Sequence, residues 1–197
     1  MTVKPEDFPY RLVLGSGSPR REELLKKMGF YFDIVVKKNE EIFPQNLPAE
    51  QVPEYIAKQK SQCYNLDEMP EKTLLITADT LVILDGKILG KPKDKSEAIA
   101  ILKELSGKTH EVVTGVCLRT KEKEKTFSIS SYVSFRVIKD EEILYYVENY
   151  KPYDKAGAYG IQEWLGFIAL ERIEGSFFNV MGFPTQRLYV SLMEFDN

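Results

Sequence analysis

The chain has 197 residues, of which 43% are hydrophobic and 29% charged, and its 27 basic and 30 acidic side chains leave a formal charge of −3. That balance is ordinary for a soluble globular protein, and nothing in it draws the chain as a whole toward a polyanion, which argues against general coating of nucleic acid. The apolar runs, such as Leu81 to Leu84, fall far short of the roughly 20 residues a membrane span requires, and the first ten residues hold charges and two prolines rather than the apolar core of a secretory signal. A cytoplasmic place is expected.

No repeat and no Gly/Ser linker interrupts the sequence, and strand and helix patterns alternate, which predicts one α/β domain over 1–197. Residues 11–14 read as a short strand. Ser18 then supplies an N-cap and Pro19 the first helical position of a helix with Leu24, Leu25 and Met28 on one face and Gly29 as its stop. A second strand is expected over 31–36, followed by a polar loop with Glu40 and Glu41, and then a helix over 49–66 in which Val52, Ile56 and Cys63 share a face. Cys63 and Cys117 have no CxxC spacing, so both read as buried thiols rather than as a disulfide or zinc site. Strands follow over 73–76 and 81–89, the latter folded at Asp85-Gly86, so Asp79 falls between two apolar strand segments. Asp94 and Glu97 have capping-box spacing for a helix with the stripe Ala98, Ile101, Leu102 and Leu105, ended by Gly107. An antiparallel pair over 110–118 and 127–137 is joined by the charged tip 121–125, and Asp140, Glu141 and Glu142 open a helix running to Tyr150. The stretch 154–162, with Ala156, Gly157, Ala158 and Gly160, resembles a binding loop more than a core element. A strand near 167–173 and a helix after Pro184 end the chain.

Arg20 and Arg21 stand where a helix macrodipole disfavours cations by up to about 1 kcal/mol. Together with the backbone N–H groups behind Gly15-Ser16-Gly17-Ser18 they would form a pocket for several negative charges, as a polyphosphate offers, unless both are solvated and Glu22 and Glu23 repair the field. No Gly-Lys-Ser/Thr follows, so this is not a Walker A loop. Asp79 needs a cation, either a metal ion or one of Lys60, Lys91, Arg20 and Arg21, and a carboxylate so placed orients or deprotonates an attacking water; the plainer alternative is a strand-end aspartate holding a turn. Lys60 occupies an apolar helix position, where it must snorkel or meet an anion; for an isolated lysine snorkelling is the simpler account. Lys91, between Gly90 and Pro92, either presents a point charge to a phosphate or is solvated. His110 has no second histidine beside it and reads as a structural hydrogen-bonding group, and Trp164 as a partly buried aromatic.

Five strings carry a resemblance: Leu14-Gly15-Ser16-Gly17-Ser18-Pro19-Arg20-Arg21, Ala78-Asp79-Thr80, Leu89-Gly90-Lys91-Pro92, Leu105-Ser106-Gly107-Lys108-Thr109-His110, and Asp154-Lys155-Ala156-Gly157-Ala158-Tyr159-Gly160-Ile161-Gln162. In order and spacing, over 11–192, they are similar to the Maf family of nucleoside triphosphate pyrophosphatases. The resemblance implies a Maf/ITPase-like α/β fold, an elongated mixed sheet flanked by helices in two lobes with a central cleft. It also implies hydrolysis of a nucleoside triphosphate to monophosphate and pyrophosphate, and a divalent metal, Mg²⁺ or Mn²⁺. Carried over residue by residue, it implies phosphate contacts for Ser16, Arg20 and Arg21, an acidic metal position for Glu41, matched cations at Lys60 and Lys91, and the catalytic, metal-facing aspartate at Asp79. The AGAYGIQ string is similar to the dTTP/UTP branch, in which Arg20, Thr80 and Gln162 match positions linked to pyrimidine choice, and argues against the alternative 7-methyl-GTP branch. The expected partner is the nucleotide, with no nucleic acid and no membrane; a homodimer is admitted, as is a nucleotide-binding regulator of cell division acting through partners. Gly15 departs from the alanine more usual in the family and is expected to loosen the loop, and Glu163-Trp164-Leu165-Gly166 departs from the glycine-rich stretch of many relatives.

Overall fold

The computed structural model describes residues 5–196. In chain order they form β1 (Arg11–Leu14), α1 (Pro19–Lys27), β2 (Phe32–Ile34), α2 (Val52–Gln62), β3 (Thr73–Leu84), β4 (Lys87–Leu89), α3 (Lys95–Leu105), β5 (Thr109–Arg119), β6 (Glu124–Phe135), α4 (Asp140–Tyr150), α5 (Trp164–Ala169), β7 (Leu170–Glu174), α6 (Phe177–Val180) and α7 (Thr185–Met193). The strands make one seven-stranded sheet in the order β2-β1-β3-β5-β6-β7, with β4 folded back on β3. The sheet is mixed. β1 runs parallel to β2 and β3, placing Leu12 opposite both Phe32 and Leu74, whereas β4 and β7 pair antiparallel with β3 and β6. Leu12, Val13 and Leu14 are all buried, the pattern of a parallel strand covered on both faces rather than one with a wet side. This is the mixed α/β architecture expected from the sequence.

The chain divides into two compact units interleaved along the sequence. One holds the residues up to Asp79, Thr114–Ile129 and those from Gly182 on; the other holds Thr80–Val113 and Ser130–Met181. β3, β5 and β6 each begin in one unit and end in the other. The first unit buries β1, the inner faces of α1 and α2, and Leu188, Leu192 and Phe195 at the end of the chain. Its α2 starts flush against β5: a Cβ at Gly115 would lie 2.2 Å from the Glu54 nitrogen. The second unit packs Ala98, Leu102 and Leu105 of α3 with Ile143, Tyr146 and Val147 of α4 and with Ala158, Tyr159 and Ile161. Within it His110 Nε2 lies 2.8 Å from the Tyr159 hydroxyl and its ring meets Phe135 edge-on, so burial pulls its pKa down to about 4 and the expected structural role holds.

Local details differ from the sequence expectations. β3 is a single strand of 12 residues, so Asp79 lies inside it rather than between two strands, while the hairpin turn at Asp85-Gly86 is present with both residues at positive φ. α2 ends at Gln62. Cys63 is therefore the C-cap and is exposed, and Ser61 takes the inward place; only Cys117 is a buried thiol. Residues 157–161 are buried, so the presumed binding loop is largely core. The expected strand over 167–173 begins as α5, and only its second half is β7. Among the described residues no helix is long and apolar enough to cross a membrane.

Candidate active site

The chain leaves β1 at Leu14 and reaches α1 through Gly15-Ser16-Gly17-Ser18. Gly15 makes room for a close approach: a Cβ there would lie 2.8 Å from Thr77 Cγ2 and 3.0 Å from the Tyr64 hydroxyl. That hydroxyl donates to Val35 O at 2.8 Å and accepts from the Lys37 N–H at 3.2 Å, so glycine admits a brace between this loop and its neighbour rather than merely loosening it. Pro19 begins α1 and Ser18 sits at its N-cap without a side-chain capping bond, so the backbone N–H groups there are not capped by Ser18. The Ser16 hydroxyl accepts from the Ser18 N–H at 3.3 Å and from Arg21 at 3.2 Å. Arg21 also donates to Ala78 O and Gly182 O, each at 2.9 Å. Burial lowers its pKa from the usual arginine value, Asp79 and Glu41 oppose that shift, and Arg20 adds to it. Arg21 thus ties the loop to β3 and to the segment before α7. Sequence reasoning identified Arg21 but not Ala78 and Gly182, which contribute only backbone carbonyls and carry no side-chain signal.

Asp79 is 5% exposed. Its Oδ1 accepts from Lys60 Nζ at 2.7 Å, and the same ammonium lies 2.7 Å from Glu41 Oε1. Lys60 therefore meets anions rather than snorkelling. Asp79 Oδ2 is buried with no hydrogen-bond partner. Hydrophobic side chains often replace a buried ion pair without loss of stability, so an acid-lysine-acid array on an apolar strand, with one carboxylate oxygen left over, is a candidate for chemistry as well as folding. The first unit thus brings together Ser16, Arg20, Arg21, Glu41, Lys60 and Asp79. Among the described residues no group of three or more His, Cys, Asp or Glu side chains could hold a metal ion by itself. The Asp79 and Glu41 carboxylates instead suit an ion that arrives with phosphate oxygens and keeps part of its water, as Mg²⁺ does.

The other three expected residues belong to the second unit. Thr80 follows Asp79 along β3 and is half-buried, and Lys91 is exposed on the loop after β4. That loop is tied to the AGAYG segment by Gly157 N–H donating to Gly90 O at 3.1 Å; Gly157 has φ +69°, and a Cβ there would lie 2.8 Å from Val82 Cγ2. Gln162 occupies the third position of a turn closed by the Glu163 N–H on Gly160 O at 3.0 Å, and its Oε1 is buried without a partner. A buried amide oxygen left without a donor is costly in a folded chain, and a water or a ligand donor would satisfy it.

Known proteins resemble this chain over most of its length. A family profile described as Maf-like protein matches residues 11–195. A protein of Porphyromonas gingivalis strain W83 named dTTP/UTP pyrophosphatase is 53% identical over 188 residues, 94% of each chain. Proteins with the same name from Bacteroides thetaiotaomicron and Flavobacterium psychrophilum are 50% and 46% identical, covering 93% of this chain and 95% and 93% of their own.

Proposed function

The chain belongs to the Maf-like protein family, and from that premise we propose that it hydrolyses nucleoside triphosphates, dTTP and UTP foremost, to the monophosphate and pyrophosphate. The observation that carries this reading is Asp79, a buried carboxylate with one oxygen held by Lys60 and the other without a partner, beside the loop that bears Ser16 and the helix start that bears Arg20 and Arg21. Ser16, Arg20 and the α1 N–H groups bind phosphate oxygens, and Arg21 both contributes charge and keeps Ser16 in place. Asp79 orients a water through Oδ2. The water oxygen attacks the α-phosphorus, its proton passes to Asp79, the bond from that phosphorus to the bridging oxygen breaks, and pyrophosphate departs with the electron pair. Lys60 holds Asp79 in a single rotamer and offsets its charge, so the base is in place before substrate arrives. Asp79 and Glu41 would hold a divalent ion arriving with the substrate, and that ion would supply neutralisation of the charge that builds on the phosphates. Lys91 adds a point charge for the departing phosphates, and Thr80, Arg20 and Gln162 select the pyrimidine. Both cysteines are free thiols, which supports a place in the reducing cytoplasm.

The test is product analysis with dTTP, UTP, dCTP, ATP and GTP, with Mg²⁺ and with chelator. Pyrophosphate release led by dTTP and UTP is expected, and orthophosphate would mean that another bond is cut. Asp79→Asn should lower turnover by about two orders of magnitude or more with the fold retained. Near-normal turnover of that variant would remove Asp79 from the chemistry.

A further inference from the structure

The turn that carries Gln162 is fastened at both ends to one buried phenol. Tyr146 of α4 is fully buried; its hydroxyl accepts from the Gly160 N–H at 3.0 Å and donates to Glu163 Oε2. Gly160 and Glu163 are the first and last residues of the turn, joined to each other by the Glu163 N–H on Gly160 O. The other Glu163 oxygen lies 3.1 Å from Lys155 Nζ, on a lysine that is only 8% exposed and also pairs with Asp154 at 2.7 Å. Glu163 stands at the N-cap of α5 yet makes no side-chain capping bond there, so its carboxylate is turned back into this brace. The contacts tolerate no added atoms: a Cβ at Gly160 would lie 2.7 Å from Glu163 Cδ, and one at Gly166 would lie 1.9 Å from Ile161 O. Ile161, next to Gln162, is 3% exposed and sits in the core. Burial and the bond to Glu163 raise the pKa of the Tyr146 hydroxyl, which keeps it a donor at neutral pH. A buried charged pair is by itself weak evidence for stability, since apolar side chains of similar volume often replace one at no cost.

We propose that Glu163 is a positioning residue for nucleotide choice, holding with Tyr146 and Lys155 the turn that presents the Gln162 amide to the base. This rests on the reading of Gln162 as the selector. Thymine and uracil carry an N3–H donor flanked by two carbonyls, whereas cytosine carries a bare N3 and an amino group. An amide oxygen held in one place accepts from the first pair and rejects the second; an amide on a loose turn rotates or shifts to suit either. The brace thus converts a hydrogen bond into discrimination, because a site that cannot adapt leaves a polar group unpaired against the wrong base. Of the residues that depart from the usual glycine-rich stretch, Glu163 is the one that acts through its neighbour.

The experiment measures kcat and KM on dTTP, UTP and dCTP for the wild type, Tyr146→Phe, Glu163→Gln and Gln162→Ala. Gln162→Ala is expected to lower the dTTP over dCTP ratio of kcat/KM by about tenfold or more, the scale of one lost polar contact. Tyr146→Phe and Glu163→Gln should each lower that ratio at least about fivefold, through a higher KM for dTTP and UTP with kcat on dCTP nearly unchanged. If Tyr146→Phe does not fold, the isosteric Glu163→Gln decides alone. A ratio kept within about twofold in the brace variants, with a fall in Gln162→Ala, overturns the positioning role and leaves Gln162 as selector. A ratio unchanged in Gln162→Ala removes the selector reading and this proposal with it.

Discussion

Arg21 reaches the carbonyl oxygens of Ala78 and Gly182, while Arg20, next to it in the first turn of α1, is set against the helix dipole. Alanine at the two positions should therefore have unequal effects on the apo protein. Arg21→Ala leaves carbonyls without their donor and should lower stability by about 1–3 kcal/mol, whereas Arg20→Ala removes a disfavoured cation and should cost distinctly less. Both should weaken nucleotide binding. Thermal midpoints without ligand, read beside affinities for a triphosphate, check this, and equal midpoints would show that the Arg21 anchors are not structural. The arginine pair was legible in the sequence because cations at a helix start conflict with a local rule. Its anchors were not, since they lie 57 and 161 residues away and consist of backbone. Lys60 was legible as a charge out of place on an apolar face, but its two acidic partners come from a loop and a strand whose meeting no local pattern encodes.

Helix α2 carries Lys60, and its first turn rests on β5 where Gly115 allows backbone to meet side-chain space. Gly115→Ala places a methyl group 2.2 Å from the Glu54 nitrogen, an overlap that backbone cannot absorb by a rotamer change. The helix must lift, at a cost of about 2–3 kcal/mol typical of overpacking, and Lys60 moves off Asp79 with it. Denaturant midpoint and turnover should fall together; an unchanged midpoint would mean that the helix start yields freely. Elements with a clear period and punctuation, such as α3 between Asp94 and Gly107 and α4 after Lys139, were readable from the sequence. The errors came where tertiary packing overrules local signals. Asp79 interrupts an apolar run, yet β3 passes straight through it because Lys60 compensates the charge; residues 167–169 are apolar and aromatic enough to pass for the start of a strand, yet they close α5, in which Gly166 packs against Ile161 O. The small residues at 156–160 suggested an open loop, but small side chains equally suit tight burial, and that is their use here.

For the molecule as a whole, the sole histidine makes stability sensitive to mild acid. His110 is 2% exposed and its folded pKa is lowered to about 4, well below the value of an unfolded histidine. Between those two values the unfolded chain binds the extra proton and the native state does not, so stability is complete above about pH 6.5 and declines as the pH drops toward 4. At pH 5 the loss relative to pH 7 should be about 2 kcal/mol, and urea unfolding at the two pH values measures it. A midpoint that stays put across that interval would mean that His110 is not held neutral. The interleaving of the two units bears on how the chain is made. Translation delivers β1, α1 and β3 well before Gly182, whose carbonyl receives Arg21, and before Leu188, Leu192 and Phe195, which are buried in the same unit. A nascent chain halted before Gly182 already carries the SPRR string and Asp79 but lacks one of the anchors that hold Arg21. The loop that Arg21 ties down is therefore fastened at both anchors only after the intervening residues of the second unit have been made.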